Sequence, residues 1–430
     1  MKARLSTLFG VLVLLSTAAG AATIRVDLNG QGDYTAIQEG IDAASAGDTV
    51  LVAAGTYTGP QNRDIDFGGR DLTLLAESGR DVTIIDCESA DRAFVFDTGE
   101  SRYAVVQGFT IRNGTGQNGG AVWMRGASPQ FLECSFENNS AGFGGAFYIG
   151  LESAPFIEFC TFTGNYAVDY GGAIYTYSSQ PGIYYCEFLS NTAGISGGAI
   201  SCKTWTIARI LYNYFTGNYA HDGGCIYVGT LFADFEEAEQ TQILFNEFVE
   251  NSAVRGGALF LQSFSWVGCS WSTFLRNSAT QGGAVFCRTD AEGDFTLQNC
   301  TIVYNSAETG GGICSSGSSS SSEFLITQCV IAYSTTGSSL QRIDYSPVTA
   351  DLSLAYGNQG GDMMFGTDRL LYEDPMFCDV ASDDYNLCEE SPCRSVNNEW
   401  GFLMGSFRQT CECDTPVEET SWGSIKAMFR

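Results

Sequence analysis

Apolar and polar positions alternate along this chain in short runs, and the runs themselves recur. One unit reads Phe136-Glu-Asn-Asn139, a short loop, Gly144-Gly145-Ala146 and an apolar tetrapeptide. The next reads Phe162-Thr-Gly-Asn165 and Gly171-Gly172-Ala173. The Asn returns at 139, 165, 191, 218, 251, 277 and 305, and Gly pairs begin at 119, 144, 171, 197, 223, 256, 282 and 310, so most steps are near 26 residues. A period of that length means stacked supersecondary units, none able to bury its apolar face alone. Helical repeats are the competing reading. Gly pairs at fixed offsets, abundant Thr, Tyr and Phe, and period-two alternation predict strands instead, so each repeat is read as one coil of a parallel β-helix.

Two columns of residues fit this geometry. Five positions before each ladder Asn stand Cys134, Cys160, Cys186, Asn213, Asn246, Ser272 and Cys300. Three before it stand Phe136, Phe162, Phe188, Phe215, Phe248, Phe274 and Ile302. Being two apart, both columns share a strand face, predicted to point inward. The ladder Asn ends the strand, where its amide can bond the backbone or the Asn of the next coil, and Gly-Gly permits the following bend. After each Gly pair the residues Val122, Phe147, Ile174, Ile200, Ile226, Leu259 and Val285 are apolar and predicted to face the core, which turns their successors outward. Six of those successors are the candidate ligand-binding residues: Trp123, Tyr148, Tyr175, Tyr227, Phe260 and Phe286, interrupted by Ser201. A contiguous outward aromatic stripe marks interaction with sugar rings or protein; the plainer reading is a ladder that stabilises its own sheet.

Ahead of the repeats, residues 24–26 read as a strand. A helix is predicted to open at Asp33 and run through Ile37, Ile41 and Ala44, plugging the end of the stack, and residues 48–52 read as the first solenoid strand. The passage from Asp33 to Tyr57 resembles the N-terminal cap of pectin-lyase-like right-handed β-helix proteins, and the F-x-x-N and G-G-A repeats resemble those of the chlamydial polymorphic outer-membrane proteins. Together these likenesses cover residues 24 to 335. They imply an all-β, right-handed parallel β-helix with a short N-terminal capping helix. Enzymes of this fold cleave uronic-acid polysaccharides, by Ca²⁺-dependent elimination with an Arg or Lys base or by hydrolysis with clustered aspartates. The outer-membrane family ordinarily continues into a translocator barrel. This chain offers no series of roughly ten-residue alternating strands to build one, so self-transport is not expected.

The expected division is a signal peptide at 1–22, a cap and first strand at 23–58, the β-helix at 59–395 and a tail at 396–430. Phe109, Ile111 and Gly114 already hold the places of Cys, Phe and Asn. Residues 231–239 are an acidic protrusion, 315–322 a flexible serine tract and 374–393 a closing segment. In the tail, Trp422, Ile425 and Phe429 fall at helical spacing, as a docking segment or a frayed end.

The first residues change the picture by compartment. Met1-Lys2-Ala3-Arg4, an apolar run over 8–15 and the small residues 18–22 form a secretory signal, cleaved near Ala21 or Ala22. The run is too short to span a membrane, and no later segment is long enough; the expected place is outside the cell or on the outer-membrane surface of a bacterium. No Cys follows the cleavage site, so a lipoprotein anchor is not expected. With Lys2 and Arg4 removed, 19 basic residues face 49 acidic ones, a charge of about −30. Such a surface repels nucleic acid and anionic membranes. The expected partners are a polysaccharide or a surface protein of a host or neighbouring cell, with no cofactor, unless Ca²⁺ bridges the acidic surface.

Export would suggest disulfides for the 16 cysteines. The ladder cysteines follow the repeat, where Asn and Ser replace them, so bridges are expected only among Cys378, Cys388, Cys393, Cys411 and Cys413. Candidate chemistry is sparse. Asp169 and Asp222 each follow a ladder Asn by four residues and are predicted to lie two coils apart, roughly 10 Å, with Ile195 between and Arg255 in the next coil. That separation suits an inverting glycosidase pair, although turn carboxylates are ordinarily just solvated. His221 is the chain's one histidine and has no metal-spaced partner. Asp234, Glu236, Glu237 and Glu239 lack the alternation of a dedicated Ca²⁺ loop. No catalytic or metal residue is assigned. The expected function is a non-catalytic adhesive or structural surface protein that binds glycan; the alternative is a polysaccharide lyase or glycoside hydrolase acting on a uronic-acid polysaccharide.

Overall fold

The structure is a computed structural model, and it describes residues 21–229, 240–262, 265–290, 293–317, 322–406 and 410–411. The signal segment up to residue 20, the acidic protrusion with its candidate Ca²⁺ ligands, Cys413 and the tail aromatics lie outside the described residues.

Each repeat crosses four walls. In one coil these are Phe156–Glu158, Thr161–Thr163, Tyr166–Tyr170 and Ile174–Tyr177; the next coil lays Gly182–Tyr184, Glu187–Leu189, Thr192–Ala193 and Ile200–Lys203 on top of them, parallel and in register. Among the described residues the four walls hold 13, 13, 8 and 11 strands in that order. The result is an all-β, right-handed parallel solenoid of about 14 turns with one α-helix.

The predicted columns account for the register. Phe136, Phe162, Phe188, Phe215, Phe248 and Phe274 are fully buried, and their rings stack at centroid distances of 4.7 to 5.0 Å, the height of one coil at about 4.8 Å. Beside them the buried Asn ladder binds coil to coil. The Oδ1 of Asn165 accepts from both the backbone N–H and the Nδ2 of Asn139, at 3.1 and 3.0 Å, while Asn165 Nδ2 donates to the Phe136 carbonyl at 2.9 Å. Gly114 begins the ladder by giving its N–H to Asn139 Oδ1 at 2.8 Å. Its later rungs are Ser334 and Asn358, joined at 3.0 Å, which the F-x-x-N pattern did not find because Ser replaces Asn in the first and Ala355 stands in the Phe place of the second. At the corner, Gly144 has φ +65°, and a side chain there would overlap the Phe147 carbonyl; only Gly turns the chain so tightly.

The stack is closed at both ends. The helix spans Ile37–Ala43, later than predicted, because the Asp33 carboxylate is engaged by the Arg25 N–H at 2.9 Å and Glu39 reaches back to the Ala36 N–H at 3.3 Å. Ile37 and Ile41 are buried, and Gly40 packs against Val26 and Val50. The first rung is Thr23–Val26, which pairs with Thr49–Val52, so the strand expected to be first is the second. At the other end Met364 and Phe365 pack against the core. Of the serine tract, Ser315, Ser316 and Ser322 lie in the strands Ile313–Ser316 and Ser322–Thr327, while residues 318–321 lie outside the described residues.

The segment after the coils folds onto the outside of the second wall. Tyr385, Leu387, Cys393 and Met404 pack on Leu275, Val303, Val330 and Leu354. Cys378 and Cys411 form a disulfide with Cα atoms 5.9 Å apart, and Cys388 is disulfide-bonded as well. Among the described residues Cys393 is the one of the five expected cysteines left as a free, buried thiol, and the ladder cysteines are free and buried as well.

Candidate functional site

The outer face of the fourth wall carries the predicted stripe in register, from Trp123 through Tyr148, Tyr175, Ser201, Tyr227 and Phe260 to Phe286. Its members are not equivalent. Tyr148 and Tyr175 stack at 5.4 Å, Tyr227 and Phe260 at 5.2 Å, and Phe260 and Phe286 at 5.1 Å. Rings stacked along the solenoid axis spend their faces on one another and turn edges to solvent. Sugar stacking needs a face.

Phe260 and Phe286 do not form part of an exposed stripe: they are 1% and 3% exposed. Their cover is Arg255, whose guanidinium carbon lies 5.0 and 5.8 Å from the two ring centroids, together with Tyr227, Cys314 and Ile343. Arg255 is locked by two hydrogen bonds to the Asp222 carboxylate, at 2.8 and 2.7 Å, and Asp222 also meets His221 Nδ1 at 2.9 Å. Arg255, held by Asp222, thus caps the apolar rings. The Asp169–Asp222 pair is not formed. The coil between Asn165 and Gly171 holds one extra residue, a bulge absorbs it, and the column therefore runs Tyr170, Ser196, Asp222, Arg255. Counting from the Asn placed Asp169 one position too far.

At the other end of the stripe Trp123 stands partly exposed, with no aromatic ring stacked on it among the described residues. It lines two shallow clefts, both wide open to solvent. One, about 460 Å³, also contains Asp64, Asp91, Arg92, Gln117 and Asn118; the other, about 480 Å³, contains Asp97, Arg125, Leu151 and Glu152. In the first cleft partial desolvation, with the Asp91 carboxylate beside it, raises Asp64 above the ordinary carboxylate value, although 47% of its side chain stays exposed. Arg92 Nε lies 3.6 Å from Asp64 and 3.7 Å from Asp91, and its Nη1 donates to the Asn118 carbonyl at 3.0 Å. A partly exposed indole bordered by carboxylate, guanidinium and amide groups offers apolar contact together with hydrogen-bonding groups for hydroxyls.

Two groups were missed from the sequence. Asp64, Asp91 and Arg92 belong to the irregular early coils, where no repeat aligns them. Lys203 left one signal, its rarity: Lys2, Lys203 and Lys426 are the chain's lysines. It occupies the gap that Ser201 opens in the ladder, its Nζ 3.6 Å from the Tyr227 ring centroid and 4.3 Å from that of Tyr170.

The coils and the polar-aromatic outer wall define a β-helix protein as a class. Residues 73–248 match a family model described as a right handed beta helix region. Among solved structures, a pectin methylesterase from carrot is 13% identical, with 78% of this chain and 89% of that one covered and a TM-score of 0.30. The pectate lyase Pel9A is 11% identical over 94% of this chain and 91% of its own, with a TM-score of 0.36. No curated protein matches the chain.

Proposed function

We propose that the chain is an exported, surface-displayed or released β-helix protein that binds glycan without cleaving it, using Trp123 and its two clefts as the contact. The observation that carries this reading is the difference between Trp123 and the rest of the stripe. Its ring lies between two polar clefts, whereas the other aromatics spend their faces in stacks or lie under Arg255. The acidic surface limits the ligand to neutral or cationic glycans, or to anionic ones bridged by Ca²⁺.

The test is affinity electrophoresis of the full chain in gels cast with neutral and acidic polysaccharides, with and without Ca²⁺. Trp123→Ala is expected to weaken binding at least about tenfold, the worth of about 1.4 kcal/mol of lost contact. Tyr148→Ala is expected to change it little. Equal retardation of wild type and Trp123→Ala on every polysaccharide ends the proposal.

One observation favours a second reading, a carbohydrate-active enzyme. Asp64, raised in pKa, shares its cleft with a second carboxylate and a guanidinium, the pairing from which acid–base catalysts are made. Turnover of pectate, alginate or glycosaminoglycan that Asp64→Asn abolishes would decide for it.

A further inference from the structure

We propose that Lys203 is a nucleophilic amine that captures aldehyde-bearing ligands as an imine, at the break in the outer-wall aromatic ladder. The proposal is independent of Trp123 and of glycan binding there.

Its basis is placement. In a chain with 49 acidic residues, arginines across the fold hold carboxylates, as in Arg25–Glu77, Arg112–Asp86, Arg255–Asp222 and Arg276–Asp383. The Lys203 ammonium has neither an ion pair nor a hydrogen-bond acceptor among the described residues; it has two ring faces. Three details of sequence put it there. Ser201, opposite Tyr175 in one coil and Tyr227 in the next, leaves out one ring of the ladder. Gly229, in register with Lys203, has no side chain, and the Tyr227 ring leans across the space one would fill. Tyr170, from the preceding coil, closes the other side.

Among the described residues the groups facing the amine are few. Tyr170 and Tyr177 come from the preceding coil, Ser201 from its own, and Asp222 and Tyr227 from the next; Cys202, next to it in the strand, points into the core. Asp222 is the carboxylate among them, and both of its oxygens are held by Arg255. Burial therefore prevails and moves the ammonium down to about 8, with Asp222 opposing. A desolvated lysine of this kind has a usable neutral fraction near neutral pH and is the usual source of Schiff-base chemistry.

The step balances without a co-reactant. The nitrogen lone pair of the neutral amine attacks the carbonyl carbon, forming the C–N bond as the C=O π pair moves to oxygen. The carbinolamine then loses that oxygen as water, which carries away the two amine hydrogens, and C=N remains. Lys203 is partly exposed, so a small aldehyde or the open-chain end of a reducing sugar reaches it from solvent.

The experiment treats the full mature chain with a small biotin aldehyde and cyanoborohydride across pH 6 to 10, and maps the secondary amine by peptide mass spectrometry. Mapping separates Lys203 from Lys426 and from the terminal α-amine. Labelling of Lys203 is expected at pH 7 at a rate at least about tenfold that of the side-chain amine of a blocked lysine peptide, with half-maximal rate near the folded-state value of about 8. Lys203→Arg is expected to lose that adduct and keep the wild-type circular dichroism. Tyr227→Ala, which returns the amine to water, is expected to move the midpoint up toward the ordinary lysine range. Labelling of Lys203 no faster than the peptide amine at pH 7 overturns the proposal, and so does an unshifted midpoint in Tyr227→Ala.

Discussion

Replacing Asn191 by Ala removes one rung from the middle of the buried Asn ladder. Asn191 Oδ1 accepts the backbone N–H and the Nδ2 of Asn165, both at 3.0 Å, and its Nδ2 donates to the Phe162 carbonyl at 2.9 Å and to Asn218 Oδ1 at 3.0 Å. The site is fully buried, so water cannot replace these bonds. The substitution orphans the Asn165 N–H and one of its amide hydrogens, at about 1 to 3 kcal/mol each, and leaves a small void. A loss of about 4 kcal/mol is expected. The comparison is Thr192→Ala, one residue on and partly exposed, expected to cost under about 1 kcal/mol. Urea unfolding followed by circular dichroism measures both. Because coils touch only their neighbours, a break in the middle should also lower the m-value as the halves unfold separately. Asn191→Ala within about 1 kcal/mol of wild type, with an unchanged slope, would refute the claim that the ladder ties coil to coil.

Two further outcomes follow from the outer wall. Arg255→Met should cost about 3 kcal/mol, since it leaves the Asp222 carboxylate, whose side chain is 12% exposed, without its guanidinium; denaturant titration checks it, and Asp222→Asn combined with Arg255→Met should recover part of the loss. Lys203→Met should stabilise the protein by about 1 to 2 kcal/mol at pH 7, the desolvation penalty of the ammonium less the cation–π contacts with Tyr170 and Tyr227 that the substitution removes. The folded-state pKa of Lys203 lies below its unfolded value, so folding disfavours the ammonium. That penalty is full below about pH 8 and vanishes as pH rises to 10.5, where wild type and variant should converge; melting temperatures at pH 7 and pH 10 decide it.

Much of the fold was legible because the repeat writes the same physical constraint many times. A Phe that stacks on a Phe, an Asn that caps a strand and bonds the next Asn, and a Gly with no alternative at a left-handed corner each give a fixed offset, and those offsets give the register. Where the offset slips, the reading slips with it, as at the bulge before Gly171 that moved Asp169 out of line with Asp222. The face of the stripe was legible and its accessibility was not. Alternation turns Phe260 and Phe286 outward, but what lies over them is set by Arg255, held from the neighbouring wall by Asp222. The same holds for Lys203, whose surroundings come from three successive coils, and for Asp64 and Asp91, which meet in coils too irregular to align.

The most direct test of the functional account is a crystal structure of the full chain with the oligosaccharide that binds it most tightly. A sugar ring lying flat on Trp123, with hydroxyls bonded to groups of the flanking clefts such as Arg92, Gln117 or Glu152, is the predicted result. An oligosaccharide seated anywhere else on the solenoid, with Trp123 bare, would contradict it.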